Sequence, residues 1–253
     1  MRLLIRHIAR WIKRYRWWLS GMVVALLVVY WHSLPDRLFE NPTCTVIEDR
    51  EGVLLGARIA ADGQWRFPHN VEVPPKLAQA IVQFEDRDFY GHPGISAKAF
   101  GRALKQNVQA GRVVSGGSTI TMQVVRLMRG NRPRTVLEKC LEVVLATRLE
   151  LRYSKEEILA FWASNAPFGG NVVGLDAAAW RYFGRSADQL SWSESATLAV
   201  LPNAPSLIYP GKNQERLRAK RNRLLQRLHE VQLLDSISLH LAQMEALPEK
   251  PHA

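Results

Sequence analysis

The chain has 253 residues, 47% of them hydrophobic, with 34 basic and 23 acidic side chains, a formal net charge of +11 and a pI near 10. A composition this apolar excludes a disordered chain, and the length suffices for one large core with appendages. Six of the excess charges (Arg2, Arg6, Arg10, Lys13, Arg14, Arg16) fall in residues 1–16 with no acid among them, so the high pI is largely local and no nucleic-acid partner is expected.

The basic segment 1–16 is followed by Trp17 to Pro35, which contains no Asp, Glu, Lys or Arg and is centred on GMVVALLVVYW. It reads as a transmembrane anchor over 17–35: about 18 helical residues rise roughly 27 Å, with Trp17, Trp18, Tyr30 and Trp31 at the interfaces. The basic flank comes first, so residues 1–16 are expected in the cytoplasm and the rest exported, a single-pass inner-membrane topology. YWHSLPDRL offers no small-x-small cleavage site, which favours an uncleaved anchor over a signal peptide.

Residues 36–75 have a different texture, with short apolar runs (TVI, VLLGARI, QWRF) separated by DREG and ADG. They predict a small membrane-proximal β element of two or three strands, with Asp62-Gly63 as a hairpin turn. From 76 to 212 the pattern is helical. Capping boxes are expected at Thr135/Glu138, Ser154/Glu157 and Ser191/Glu194, and breaks at Gly130 to Pro133, Ala166 to Gly170, Gly184 and Pro202 to Pro210. Residues 213–253 read as a helical connector. Cys44 and Cys140 are too few for a disulfide framework, and neither they nor the histidines form a metal-ligand pattern.

The chemistry-bearing stretch is Phe84 to Gly94, FEDRDFYGHPG. Leu77, Ile81, Phe84 and Glu85 share one helical face, so Glu85 points where the apolar residues point, close to a helix end closed by Gly91, Pro93 and Gly94. Desolvation and the negative end of the helix dipole both favour its protonated form, which suits a general base working near neutral pH. A solvated charge cluster at a helix end is the other reading of the same residues.

In RVVSGGSTITMQVVR, from Arg112 to Arg126, Gly116 and Gly117 followed by Ser118 and Thr119 open directly into a helix, a natural phosphate receptor or a plain N-cap. Residues 112–139 carry six basic side chains (Arg112, Arg126, Arg129, Arg132, Arg134, Lys139) against one acid, Glu138, which suits a pyrophosphate. On the helix from Val136, Lys139 and Glu142 are three apart on one face; Glu142 can orient the cation, hold a divalent metal, or form an ordinary ion pair. KEEILAFWASNAPFGG, from Lys155, is an amphipathic helix with Ile158, Leu159 and Trp162 as core positions and Lys155 as the one candidate for more.

In this order these stretches resemble the peptidoglycan glycosyltransferase domain, glycosyltransferase family 51, of class A penicillin-binding proteins. The pattern E-D-x-x-F-x-x-H-x-G is met at Glu85, Asp86, Phe89, His92 and Gly94, and G-G-S-T-I-T-x-Q from Gly116 to Gln123. The resemblance covers about residues 43–212, and ADGQWRFP, PFGG and LAVLPNAPS look most like the penicillin-binding protein 1C type. Four positions depart from the family: Met122 where a glutamine is frequent, Glu138 for the arginine of R-K-x-x-E, Ser164 for an asparagine and Trp162 for a tyrosine.

The resemblance implies a mainly α, lysozyme-like fold with a small β element near the membrane. It implies an inverting transfer in which lipid II and a lipid-linked glycan chain join by a β-1,4 bond and undecaprenyl pyrophosphate leaves. Glu85 and Glu142 are the implied catalytic residues. Asp86, Phe89, His92, Gly117, Ser118, Thr119, Gln123, Lys139 and Lys155 are the implied substrate-binding set, with Mg²⁺ or Mn²⁺ at Glu142. Implied partners are the bilayer and other cell-wall synthesis proteins. A catalytically impaired scaffold and a cleaving lysozyme-like enzyme are the competing readings. No Ser-x-x-Lys and no Lys-Thr-Gly occur, so the transpeptidase signature is not among these residues; a truncated bifunctional chain is expected, with a monofunctional enzyme as the alternative.

Overall fold

The computed structural model of the chain describes residues 2–51, 54–68, 72–112, 116–133 and 135–252, with side chains from residue 14 onward. Val113, Val114 and Ser115 of the Gly-Gly-Ser-Thr stretch, Arg134 of the basic set and the basic side chains up to Lys13 lie outside the described residues. The chain divides into two units, Met1–Leu38 and Phe39–Ala253.

The first unit is built on helix α1, Arg2–Trp31. Trp17, Trp18, Trp31 and most of the apolar run from Met22 to Val29 are exposed. Helix α1 does not meet the expectation of a span over 17–35. It stops at Trp31, where the Ser33 hydroxyl donates to Tyr30 O. Its charge-free part, from Trp17, therefore rises only about 22 Å, against roughly 30 Å of hydrocarbon. Among the described residues no helix is long and apolar enough to cross a membrane.

The second unit is mainly helical with two small sheets. Strands β1 (Thr45–Glu48) and β2 (Leu54–Arg58) pair antiparallel. The Asp62-Gly63 turn forms, with Gly63 at φ 73° and Gly63 N–H donating to Ala60 O. However, it does not close a hairpin. Strand β3 (Trp65–Arg66) runs past it to pair in parallel with β5 (Val172–Val173), which also pairs with β4 (Pro167–Gly169). Trp65 and Phe67 stack on Trp180 at centroid distances of 5.8 Å each, an aromatic packing that favours this long-range pairing.

The helices are α2 (Pro75–Glu85), α3 (Ala97–Ala110), α4 (Ile120–Met128), α5 (Val136–Glu150), α6 (Lys155–Asn165), α7 (Leu175–Phe183), α8 (Trp192–Val200), α9 (Gln214–Glu230) and α10 (Ser236–Met244). Helix α8 is the central one. Every residue from Ser193 to Val200 is buried, and α2, α7, α9 and α10 pack around it. Two of its polar side chains bond within the core: Thr197 Oγ1 donates to Ser193 O, and Ser193 Oγ accepts from the buried Arg221. Helix α9, read from sequence as connector, packs along both α2 and α8. Its Arg227 donates to Gln83 O, a carbonyl in the last turn of α2 that has no helical partner of its own.

Ser154 and Ser191 form complete capping boxes with Glu157 and Glu194. At Thr135 the box is half made. Thr135 accepts from Glu138 N–H, but the Glu138 carboxylate turns away to a bidentate pair with Arg129 at 2.9 and 3.0 Å. The ion pair outcompetes a backbone amide, since two charge-assisted bonds replace one.

Gly94 fixes how the loop after α2 meets α5. It sits at φ 85°, and a Cβ there would lie 2.8 Å from Ala146 O and 2.9 Å from Glu150 Cγ. Gly94→Ala should lower stability by about 2–4 kcal/mol, because left-handed strain and a backbone clash add. A urea denaturation midpoint within error of the wild type would contradict this.

Candidate active site

Glu85 is the last residue of α2, and Asp86 follows as its cap. The Glu85 residue is half-buried, but its Oε1 is buried and has no hydrogen-bond partner among the described residues. Oε2 accepts from Gln123 Nε2 at 2.7 Å. Burial pushes the Glu85 carboxyl above its ordinary 4.5; the Gln123 bond and the Lys220 charge oppose that rise, and Asp86 adds to it. The expected raised carboxyl on the apolar face is thus what the fold produces, and the solvated-cluster reading does not fit a buried orphan oxygen.

The neighbouring motif residues are mostly internal. Phe89 is fully buried. Asp86 is buried and accepts from His92 Nε2 at 3.0 Å and from Ile120 N–H at 3.0 Å, joining the loop to the start of α4. Thr119 is fully buried, accepting from Met122 N–H and donating to Gly94 O at 2.6 Å. The amides of Ile120 and Met122 are therefore taken by Asp86 and Thr119, which is the plain N-cap of the two readings. Gly117 lets the loop meet α3, since a Cβ there would lie 2.9 Å from Phe100 Cα.

Cations replace those amides as the anion-attracting groups. Arg126, on α4, donates to both oxygens of Glu142 at 2.7 and 2.9 Å and reaches Ser118 Oγ at 3.3 Å. Lys139, on α5, donates to Ser118 Oγ at 2.8 Å and to Glu142 at 3.2 Å, with its side chain 42% exposed. Two cations share one carboxylate, so the cluster keeps a positive charge beside a hydroxyl that faces both. Burial pushes the Glu142 carboxyl up, but the Arg126 bond and the charges of Arg126 and Lys139 outweigh it and hold it below the ordinary value. Arg129 and Arg132 are turned aside onto Glu138. The positive cluster is consequently smaller than the basic run suggested.

The donor set does not fit a protein-held divalent cation at Glu142. Both oxygens are engaged by Arg126 and Lys139, and among the described residues no three His, Cys, Asp or Glu side chains converge. Lys155 likewise has its charge committed: it donates to Glu150 at 2.8 Å and to His92 O at 2.7 Å, and lies 4.5 Å from the Phe89 ring centroid. Thr121 Oγ1 donates to the same Glu150 Oε1 at 2.6 Å, so Lys155 works as a strut between α4, α5 and the 89–92 turn.

Sequence reasoning missed three residues. Arg126 was counted among the basic side chains with no specific role, although it lies one helical turn from Gln123. Trp162, taken as core, donates its indole N–H to Gln123 Oε1 at 3.0 Å. Lys220 faces Glu85 electrostatically from α9 and donates to Asn203 at 2.7 Å; nothing local in its basic helix marks it.

A transglycosylase family model matches residues 55–229, which takes in every site residue above. Penicillin-binding protein 1C of Escherichia coli is 43% identical over 195 residues, 77% of this chain and 25% of that protein. Penicillin-binding protein 1A of Aquifex aeolicus is 36% identical over 83% of this chain and 29% of its own length, and penicillin-binding protein 1F of Bacillus subtilis is 40% identical over 57% and 21%. The chain thus spans about a quarter of the length of these curated relatives. With the family model covering well over half of it, the chain belongs to the transglycosylase family, as the glycosyltransferase domain of a class A penicillin-binding protein, and resembles the 1C type.

Proposed function

We propose that the chain polymerises lipid II into β-1,4-linked glycan with inversion, releasing undecaprenyl pyrophosphate. The observation that carries this reading is the pairing of a buried, proton-seeking Glu85 oxygen with a separate Arg126/Lys139/Ser118 cluster. Glycosyl transfer from a pyrophosphate needs those two functions together. Glu85 Oε1 takes the proton of the attacking 4-hydroxyl as the new C–O bond forms. Arg126, Lys139 and the Ser118 hydroxyl stabilise the charge that develops on the departing pyrophosphate. A hydrolytic lysozyme-like enzyme has no need of the second cluster. No step is assigned to a metal, since both Glu142 oxygens are already engaged by Arg126 and Lys139.

Both substrates are lipid-linked, so the site has to work at a bilayer. Exposed Phe100, Leu104 and Val108 form an i, i+4, i+8 stripe on α3, and exposed Val136 and Leu137 open α5, apolar surfaces suited to dipping into a headgroup region. The exposed apolar run of α1 supplies membrane attachment, and the second unit acts on the exported face of the inner membrane, with a lysozyme-like arrangement of its cleft. Labelled lipid II incubated with the purified chain in detergent should release one undecaprenyl pyrophosphate per disaccharide joined and give β-linked product by NMR. Release of free sugar in place of polymer would overturn the reading in favour of hydrolysis.

A further inference from the structure

The Gln123 side chain bridges two groups of unlike character. Its Nε2 donates to Glu85 Oε2 at 2.7 Å, and its Oε1 accepts from the indole N–H of Trp162 at 3.0 Å. An amide placed between a carboxylate and an arbitrary neighbour can turn over, presenting either end. Here the neighbour is an indole, which only donates, so the amide oxygen is fixed toward Trp162 and the NH₂ toward Glu85. Trp162 is 1% exposed, its ring set edge-on against Phe168 at 6.5 Å, and Phe168 is itself fully buried. The indole is thus rigid, and the rigidity passes along the chain of bonds to Glu85.

We propose that Trp162 is a positioning residue for the transfer reaction, locking the Gln123 amide so that Glu85 is held as an oriented carboxylate whose Oε1 is left unpartnered for the acceptor hydroxyl. The proposal rests on Glu85 being the base. Its physical content is a bias on the amide. With the indole N–H gone, Gln123 can present its oxygen to Glu85, and only a protonated carboxyl can donate to it. Turnover of the amide and protonation of the base become coupled, each favouring the other.

The other charged groups facing Glu85 are Asp86, next in the chain, and Lys220 from α9. Asp86 opposes ionisation and Lys220 favours it, and neither bonds to Trp162, so removing the indole N–H leaves both in place. The Gln123 bond lowers the Glu85 pKa against the larger effect of burial. Its loss therefore raises that pKa further, and the base reaches its working form only at higher pH.

The test is kcat for lipid II polymerisation across pH in Trp162→Phe and in a variant carrying 3-benzothienylalanine at 162. The second keeps the bicyclic shape and lacks the N–H, so it separates the hydrogen bond from the cavity that phenylalanine leaves. Both should lose about 10-fold in kcat, the scale of one buried hydrogen bond at a reacting group, with KM little changed and the acid limb moved to higher pH. In a Gln123→Leu background the same replacements should change kcat less than about 2-fold, because the relay is already cut. A benzothienylalanine variant with an unmoved acid limb, or a loss that multiplies undiminished onto Gln123→Leu, would overturn the proposal. Glu85→Gln separates the two levels. If it retains activity, the base assignment itself falls; if it is inactive while the Trp162 variants keep the wild-type acid limb, only the positioning role falls.

Discussion

Glu85→Gln should cut lipid II polymerisation by about 10²- to 10⁴-fold, the usual share of a general base, while the protein melts at a higher temperature than the wild type at neutral pH. The two effects have one origin. The Glu85 carboxyl sits above its ordinary 4.5 because burial penalises the ionised form. An acid whose folded pKa exceeds its unfolded one binds more protons when folded, so the native state gains stability as pH falls through the folded pKa. Above that pH the ionised side chain is a cost, which the neutral amide removes. The activity of the wild type should fall in the same window, with an acid limb above the ordinary carboxylate range. A Glu85→Gln protein that melts lower, or a wild-type acid limb near pH 4, would contradict a desolvated base. Activity bought with instability is the pattern expected of functional sites.

Glu142→Gln should show the opposite thermodynamic sign. Its carboxylate receives two bonds from Arg126 and one from Lys139, with side-chain exposures of 7% for Glu142 and 15% for Arg126. Taking away the charge leaves Arg126 poorly compensated, and a loss of about 2–4 kcal/mol is expected, toward the low side of buried pairs because Arg126 and Lys139 keep some water contact. The Glu142 carboxyl is held below its ordinary 4.5 despite burial, so its contribution is present above the unfolded pKa and is lost as pH falls through the folded one. For catalysis the expected signature is split. The cluster gains net positive charge, so pyrophosphate should inhibit at least as well as in the wild type, while kcat falls about 100-fold because the cations are no longer held in place. Weaker pyrophosphate inhibition together with an unchanged urea midpoint would show that Glu142 neither braces nor balances the cluster.

Local rules carried much of this architecture. The face periodicity from Leu77 to Glu85 was enough to turn Glu85 inward but not to show that Asp86 is buried too, bonded to His92 and Ile120 N–H, and the hydroxyl caps at Ser154 and Ser191 start the helices they were expected to start. The features that sequence left hidden depend on partners distant along the chain. β3 meets β5 through Trp65 and Val172, for which neither segment carries a local signal. Lys155 finds His92 O and Glu150, and Glu138 chooses Arg129 over the backbone amide that its capping motif offered. The charge-free run, its aromatic ends and the basic flank made Trp17 to Pro35 read as a span, whereas the helix ends at Trp31.

The Glu138 departure bears on activity. Glu138 is consumed by Arg129 and Arg132, leaving Arg126 and Lys139 as the cations at Ser118. The positive cluster survives in space although the arginine of the motif is absent. That arrangement argues for a working enzyme over an inert scaffold.

The most direct measurement is the initial rate of lipid II polymerisation by the purified wild-type chain beside Glu85→Gln, both verified as folded, on the same labelled substrate. The account predicts glycan polymer from the wild type and at least about a hundredfold slower formation by the variant. Equal rates would remove Glu85 as the base, and no polymer from the folded wild type would leave the scaffold reading in its place.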